Sequence, residues 1–401
     1  MIHLSTRSRN TPPSPIRRLA HLARSASEKG VEPYYLNIGQ PDIHCPRLFS
    51  EGVAQHADIH VSYAPSEGIQ VFREAWASWM NREHGIDTSP ERYMVTMGAS
   101  EGLVFLFTTC CDPSDEIIIF DPTYANYMGF AEQTGVRLVS LASAFEEGFQ
   151  LPDTSVIRKH ITSRTRAILL CNPNNPTGVL YGEEEVERLL DICHRYGLYL
   201  LLDETYREIV FDNKPVTSAM KIAPDDEHVI VIDSLSKRFS LCGARIGSLY
   251  VPSNGLREKI LHLAQARLSA PTIEQLAATH MLKQIEDGYT AEVCATYQGR
   301  RDCLIRCLQK IPGVTCCEPS GAFYLLAKLP IEDAEHFASW MLSEYSQDGR
   351  TLFLSPARGF YSIPGMGEDE IRLAFVLEEK SLEHAMKVLE GGLEAYKSVT
   401  K

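Results

Sequence analysis

The sequence predicts an α/β protein: a mostly parallel, seven-stranded sheet flanked by helices, plus a smaller α/β C-terminal domain. Three observations carry that expectation. The chain has 401 residues, more than one hydrophobic core usually spans, so two domains are the starting point. From about residue 90, short and nearly continuous apolar runs alternate with amphipathic stretches, the pattern of strands covered on both faces by helices. Beyond Gly255 a long helical stretch separates this series from a second mixture of strands and helices.

In chain order, Thr11–Pro15 reads as an extended arm. Tyr93–Met97 is an expected strand, Ser100–Cys110 a helix, and Glu116–Phe120 and Arg137–Leu141 are further strands. Arg166–Cys171 follows, then a helix over Glu183–Tyr196 and the strongly apolar strand Leu198–Leu202. His228–Ile232 and Ile246–Val251 complete the seven. Gly255 to Lys310 is largely helical, with interruptions at Pro271 and near Gly288. In the smaller domain Phe323–Ala327, Leu352–Leu354 and Ile371–Val376 read as strands, with helices near Ala334–Tyr345 and Leu382–Tyr396. Ligands on such sheets bind where strands end and loops begin.

Composition narrows the class. Hydrophobic residues at 44% and charged residues at 23% fit a soluble globular protein. The formal net charge of -13 disfavours a general nucleic-acid binder, which needs clustered Lys and Arg, yet leaves room for a local cationic pocket. No apolar run approaches the length needed to cross a bilayer, so no membrane partner is expected. The eleven cysteines are scattered and none forms a C-x-x-C pair with His at metal spacing, so no metal is expected. Free cysteines behind a polar, basic start (Met1 to Arg9) point to a reducing cytoplasm.

The chemistry lies at the strand ends. Ser234-Leu-Ser-Lys237-Arg-Phe-Ser-Leu-Cys-Gly-Ala-Arg245-Ile-Gly247 directly follows the strand His228–Ile232. A lysine there is costly unless it is paired or covalently used, and the guanidinium of Arg245 suits a phosphate. Leu198–Leu202 runs into Asp203, whose carboxylate needs a partner; a protonated pyridine nitrogen or a helix N-cap would both serve. Arg166–Cys171 leads into Asn172-Pro-Asn-Asn175-Pro-Thr-Gly178, a rigid turn carrying side-chain amide donors. Gly98-Ala-Ser100-Glu-Gly102 opens a helix, where unpaired N–H groups make either an anion site or a plain cap. Tyr124, after Glu116–Phe120, could stack on a flat ring or pack in the core. Taken together these groups are complementary: amine, carboxylate, amide, phosphate site and ring platform.

Here the sequence resembles the class I/II aminotransferases, fold-type I pyridoxal-phosphate enzymes, over nearly its whole length. Ser234 to Gly247 is similar to the family's lysine signature and Asn172–Gly178 to its Asn-Pro-x-Asn-Pro-Thr-Gly turn. The resemblance implies pyridoxal 5′-phosphate held by Lys237 as a Schiff base, with Lys237 then shuttling the proton. It implies Asp203 on the pyridine nitrogen, Asn175 and Tyr206 on the phenolic oxygen and Tyr124 on the ring. Ala99, Ser100, Ser234 and Arg245 would hold the phosphate. Leu36-Asn-Ile-Gly39-Gln-Pro-Asp42 resembles the family's N-terminal strand, whose glycine N–H meets the substrate carboxylate, and Ile371-Arg372-Leu-Ala-Phe375 the strand whose arginine grips it. Tyr63-Ala-Pro-Ser-Glu-Gly68 resembles a segment whose tyrosine reaches the neighbouring subunit's phosphate, which implies a homodimer with shared active sites. The division expected is residues 1–45 as arm and part of the small domain, 46–285 as the cofactor domain, and 286–401 as the small domain.

The expected reaction moves an amino group from an amino acid, aspartate or aromatic, to a 2-oxo acid such as 2-oxoglutarate by a ping-pong mechanism. The segment Leu354–Gly365 departs from the family pattern, so specificity does not carry over with the signature. Within it Arg358 could bind a distal carboxylate or face solvent, and Phe360 and Tyr361, with Tyr324, could line an aromatic pocket. Two other activities are weighed. A carbon–sulfur β-lyase would share the cofactor site. An aminotransferase-like regulatory protein would need a DNA-binding module, and only the short arm before Leu36 is available.

Overall fold

The computed structural model describes residues 2–398. A short strand, β1 (Glu32–Tyr35), precedes the main sheet. That sheet contains β2 (Tyr93–Thr96), β3 (Glu116–Asp121), β4 (Arg137–Ala142), β5 (Thr165–Cys171), β6 (Tyr199–Asp203), β7 (Val229–Ser234) and β8 (Gly247–Tyr250). Their spatial order is β2-β8-β7-β6-β5-β3-β4, and only β8 runs against its neighbours. The expected seven strands are all present. A parallel neighbour needs a long crossover, usually a helix. Between β7 and β8 the chain forms only the short turn Cys242–Ala244, so β8 returns antiparallel.

The unbroken apolar runs follow from this topology. On β6, Leu200 and Leu202 join one core while Leu201 joins the other; on β7, Val229 and Val231 face one core, Ile230 and Ile232 the other. Successive residues point to opposite faces, so a strand covered on both sides must be apolar at every position.

The C-terminal part holds β9 (Thr315–Cys316), β10 (Tyr324–Lys328), β11 (Arg350–Phe353), β12 (Ser355–Pro356) and β13 (Glu370–Ala374). Four of these form an antiparallel sheet in the order β12-β13-β10-β9. The chain's start returns here: β1 pairs in parallel with β11, and Leu19, Ala23 and Leu36 join the same core as Leu325, Ile371 and Leu389. The expected strand over Leu36–Asp42 is corrected. The ladder ends at Tyr35, one residue before it; the Leu36 N–H donates to the Phe353 carbonyl and its own carbonyl accepts from the Ala374 N–H. Gly39 and Pro41 follow, and proline has no N–H to continue a ladder.

The helical stretch after Gly255 divides as expected, into Asn254–Arg267, Thr272–Gln284 and Tyr289–Leu308. Helices Ala20–Glu28, Arg47–Gln55 and Gln70–His84 were not anticipated. Among the described residues no helix is long and apolar enough to cross a membrane.

Candidate active site

A cavity of about 630 Å³ opens at the C-terminal ends of β5, β6 and β7. Gly39, Ala99, Ser100, Tyr124, Asn175, Asp203, Tyr206, Ser234, Lys237, Arg245 and Arg372 all line it. Those are the residues expected from the sequence, Tyr63 excepted. Residues as far apart as 39 and 372 meet because strand ends converge there while the N-terminal segment crosses from the smaller sheet.

Lys237 lies three residues beyond the end of β7. Its Nζ donates to the carbonyl of Gly39 at 2.8 Å and stands 5.8 Å and 5.6 Å from the ring centres of Tyr206 and Phe323. No carboxylate pairs with this amine among the described residues. The loop is held from behind by a buried ionic cluster. Arg207 bonds Glu204 at 2.7 Å and also pairs with Glu208 and Asp233. Arg238 meets Glu208 at 2.8 Å and Asp233, and lies over the Trp79 ring. Lys237 therefore projects from a backbone fixed on both sides.

Asp203 ends β6 and is buried. One carboxylate oxygen accepts from the Tyr127 hydroxyl at 2.8 Å; the other accepts from the Thr205 hydroxyl at 2.6 Å and backbone N–H at 3.2 Å. Burial pushes its pKa up against these three donors, and no cation pairs with it among the described residues. Such a carboxylate suits a cationic ligand atom. Beside it the hydroxyls of Tyr206 and Tyr324 lie 2.9 Å apart.

The opposite wall is an anion cradle. The helix Gly98–Cys110 begins there, with Ala99 and Ser100 in its first turn, where N–H groups lack intrahelical partners. Two glycines permit the approach. A Cβ on Gly98 would sit 2.5 Å from an Arg245 nitrogen, and one on Gly247 would sit 2.6 Å from the Gly98 carbonyl carbon. Arg245 itself adopts left-handed backbone, φ 55°. Its guanidinium donates to the carbonyls of Cys242 (2.9 Å) and Met97 (3.1 Å) and has no carboxylate partner among the described residues. Ser234 and Ser236 share a hydroxyl bond of 2.8 Å at the cavity edge. Ser236 was not singled out, although it stands between two residues that were.

Arg372, on β13, is fully buried. It donates to Asn175 Oδ1 at 3.0 Å and to the backbone oxygen of Asn37, while its Nε has no partner. The guanidinium is held between the rings of Tyr324 (4.3 Å) and Phe360 (4.8 Å). Burial pushes its pKa down, and no carboxylate compensates the charge among the described residues. A buried cation with one free donor calls for an anion in the cavity. The turn explains why Asn175 is its partner. Asn172 exchanges two 2.9 Å bonds with the Tyr181 backbone and Asn174 accepts from Thr177, so both hold the loop and Asn175 faces inward.

Two expectations fail, and Tyr63, expected at a neighbouring subunit's phosphate, lies away from this chain's own cavity. Tyr63 is 78% exposed and lines a separate depression with His60 and Pro271. Arg358 does not reach the cavity: it lines a neighbouring cleft and pairs with Glu368 at 3.6 Å. Nor do Phe360 and Tyr361 form an aromatic pocket wall with Tyr324. Phe360 packs on Arg372, and the Tyr361 hydroxyl donates to Glu370 at 2.6 Å, which turns both away from the ligand space. The cavity instead gains Ser14, Ile16 and Arg17 from the arm, and Asn126 and Cys242. Nothing in the local sequence of the arm marks them, since their placement depends on where it crosses the fold.

Comparison with known proteins agrees with this geometry. The family model for aminotransferase class I and II matches residues 36–389. The chain is 32% identical to a probable aspartate/prephenate aminotransferase of Thermus aquaticus, over 96% of this chain and 97% of that one. It is 30% identical to an aspartate aminotransferase of Pyrococcus horikoshii, covering 90% and 91%. An alanine aminotransferase structure from Pyrococcus furiosus superposes with a TM-score of 0.88 at 31% identity, covering 98% of this chain and 100% of that one. Fold and site thus define a fold-type I, pyridoxal-phosphate-dependent enzyme. The chain belongs to the aminotransferase class I and II family, and it is an aminotransferase.

The residues present fit that cofactor. Asp203 would offer a buried anion to the ring nitrogen, Tyr124 an aromatic face, Tyr206 and Asn175 polar groups to the ring oxygen, and Arg245 with the helix start a cradle for the phosphate. Lys237 would supply the amine.

Proposed function

We propose that the enzyme moves the amino group of an amino acid, aspartate or an aromatic one, to a 2-oxo acid such as 2-oxoglutarate in two half-reactions sharing one site. The observation that carries this reading is the pair of unneutralised cations, Lys237 and Arg372, opening onto one cavity. The names of the Thermus and Pyrococcus horikoshii relatives support aspartate as a donor.

Pyridoxal 5′-phosphate, when bound, supplies a reactive aldehyde carbon and a ring that accepts the electron pair released at Cα. Arg372 and Asn175 grip the α-carboxylate, and the Gly39 backbone borders it. Grip at this end fixes which bond of Cα faces the lysine. Lys237 would hold the cofactor through its amine and, as the base facing the substrate, would accept the proton from Cα. Asp203 would keep the ring nitrogen protonated, which strengthens electron withdrawal, and Tyr206 would hold the ring oxygen. Ser234, Arg245 and the first N–H groups of the Gly98–Cys110 helix would hold the phosphate, and Tyr124 would offer its face to the ring.

The same reading includes a homodimer in which Tyr63 serves the neighbouring copy's phosphate; its exposure and its distance from this chain's own cavity support that. It includes a cofactor domain over 46–285 and a small domain over 286–401 joined by 1–45, supported by the shared core of Leu19, Leu36 and Leu389. A cytoplasmic location belongs to it as well.

A half-reaction screen tests the function. The holoenzyme is mixed with single amino acids and the change in cofactor absorbance is followed together with 2-oxo acid release. Stoichiometric 2-oxo acid, with turnover only when an acceptor is added, is expected. Pyruvate and ammonia released catalytically from a cysteine conjugate without acceptor would make it a β-lyase instead.

A further inference from the structure

Two tyrosine hydroxyls in the cavity are bonded to each other and to nothing else. Tyr206 stands three residues beyond β6 and Tyr324 opens β10; both are buried, and their hydroxyls lie 2.9 Å apart. Neither hydroxyl has another hydrogen-bond partner among the described residues. Tyr206 has a role on the cofactor's ring oxygen; Tyr324, on the smaller sheet, so far has none.

Tyr324 is fixed from three sides. In the β10–β13 ladder Tyr324 stands opposite Ala374 and Leu326 opposite Arg372, so Tyr324 and Arg372 are diagonal neighbours on one face. The Tyr324 ring accordingly lies 4.3 Å from the Arg372 guanidinium, and it meets the Tyr206 ring edge-on with centres 5.7 Å apart. Its hydroxyl fills the space beside Gly39 that a Cβ would need. The oxygen is therefore held in place, and only its proton is free to rotate.

A hydroxyl has one proton to give and two lone pairs with which to accept, so only one of the two tyrosines donates in their shared bond. If Tyr206 donated, its proton would be spent on Tyr324 and only lone pairs would face the ring oxygen. With Tyr324 donating, the Tyr206 proton is free for the ring oxygen, and the bond that Tyr206 accepts makes it a stronger donor. Burial, with Tyr324 adding to it, pushes the Tyr206 pKa well above its ordinary value, so Tyr206 keeps the proton it has to offer. We propose that Tyr324 is a positioning residue: its hydroxyl donates to Tyr206 and thereby commits the Tyr206 proton to the ring oxygen of pyridoxal 5′-phosphate. The inference rests on the cofactor site described above but fails separately from it.

The test is a pH titration of the visible absorbance of the holoenzyme, wild type against Tyr324→Phe, Tyr206→Phe and the double variant, each with its fold checked by thermal melting. Tyr324→Phe removes one oxygen and keeps a ring against Arg372. A donor on the ring oxygen stabilises the form that has lost the proton of the lysine-linked nitrogen, so it lowers the titration midpoint. Tyr324→Phe should raise the midpoint by about 0.5 pH unit, roughly a threefold change in proton affinity, and Tyr206→Phe should raise it further. In the Tyr206→Phe background the second substitution should add nothing. An unchanged or lowered midpoint in Tyr324→Phe, beside a normal wild-type band, overturns the inference and leaves the cofactor site intact. An equal shift in both backgrounds also overturns it, because Tyr324 would then act without Tyr206. A visible band that survives in Lys237→Ala overturns the cofactor site itself, and this inference with it.

Discussion

Gly39 and Tyr324 meet so closely that a Cβ on the glycine would lie 1.6 Å from the tyrosine oxygen. Three interactions converge at this contact. Gly39 gives its carbonyl to Lys237, Tyr324 shares a hydroxyl bond with Tyr206, and the Tyr324 ring lies 4.3 Å from the Arg372 guanidinium. Gly39→Ala must displace one of them. We expect a stability loss of about 1–3 kcal/mol from overpacking, and kcat/KM lower on the order of 100-fold. Denaturant melts and half-reaction kinetics measure the two effects.

Arg372→Lys keeps the charge but loses the planar fork that spans Asn175, Asn37 and a carboxylate. The expected result is a fall in kcat/KM on the order of 100-fold for every amino acid tried, dicarboxylic or not. Steady-state kinetics over a panel of donors would show it.

Asp203 gives a pH dependence. Burial raises its pKa, so in the cofactor-free protein its contribution to stability is fully present below the ordinary carboxylate range and lost as pH rises through the raised value. A cationic ring nitrogen beside it reverses the balance and favours the ionised form. Cofactor affinity at this group should therefore grow as pH rises through that value. Titrations of wild type and Asp203→Asn across pH check this: the difference between the two affinity profiles should vanish at low pH and open upward.

The buried cluster behind Lys237 should matter for stability. Arg207→Ala leaves Glu204, Glu208 and Asp233 without their shared cation, and breaking such a buried network costs about 3–5 kcal/mol. Burial alone would raise Glu208, but Arg238 and Arg207 outweigh it and hold its pKa below the usual range. Its contribution is present above the ordinary carboxylate range and lost as pH falls through the depressed value. Thermal melts of the variant at neutral pH, and of the wild type toward acid pH, report both.

What was legible in the sequence was what repeats along one element. Strands β3, β5, β6 and β7 announced themselves because burial on both faces makes nearly every position apolar, and Asp203, Asn175 and Lys237 stood where those runs stop. β1 was missed because Pro33 and two tyrosines in four residues give no strand-like alternation. Tyr127 was missed because a tyrosine inside a helix looks like any core residue until its hydroxyl is seen on Asp203. Arg358 shows the harder limit: it is an arginine in a loop, and its pairing with Glu368 outside the cavity is set by how the loop folds back on itself, which no local pattern marks.

The central claim is that Lys237 both holds the cofactor and moves the proton, and one variant tests both. Lys237→Ala, with folding verified by its melting profile, should lose the visible absorbance of the lysine-linked cofactor and all measurable transamination. A folded Lys237→Ala protein that kept that absorbance and turned over amino acid at the wild-type rate would contradict the account.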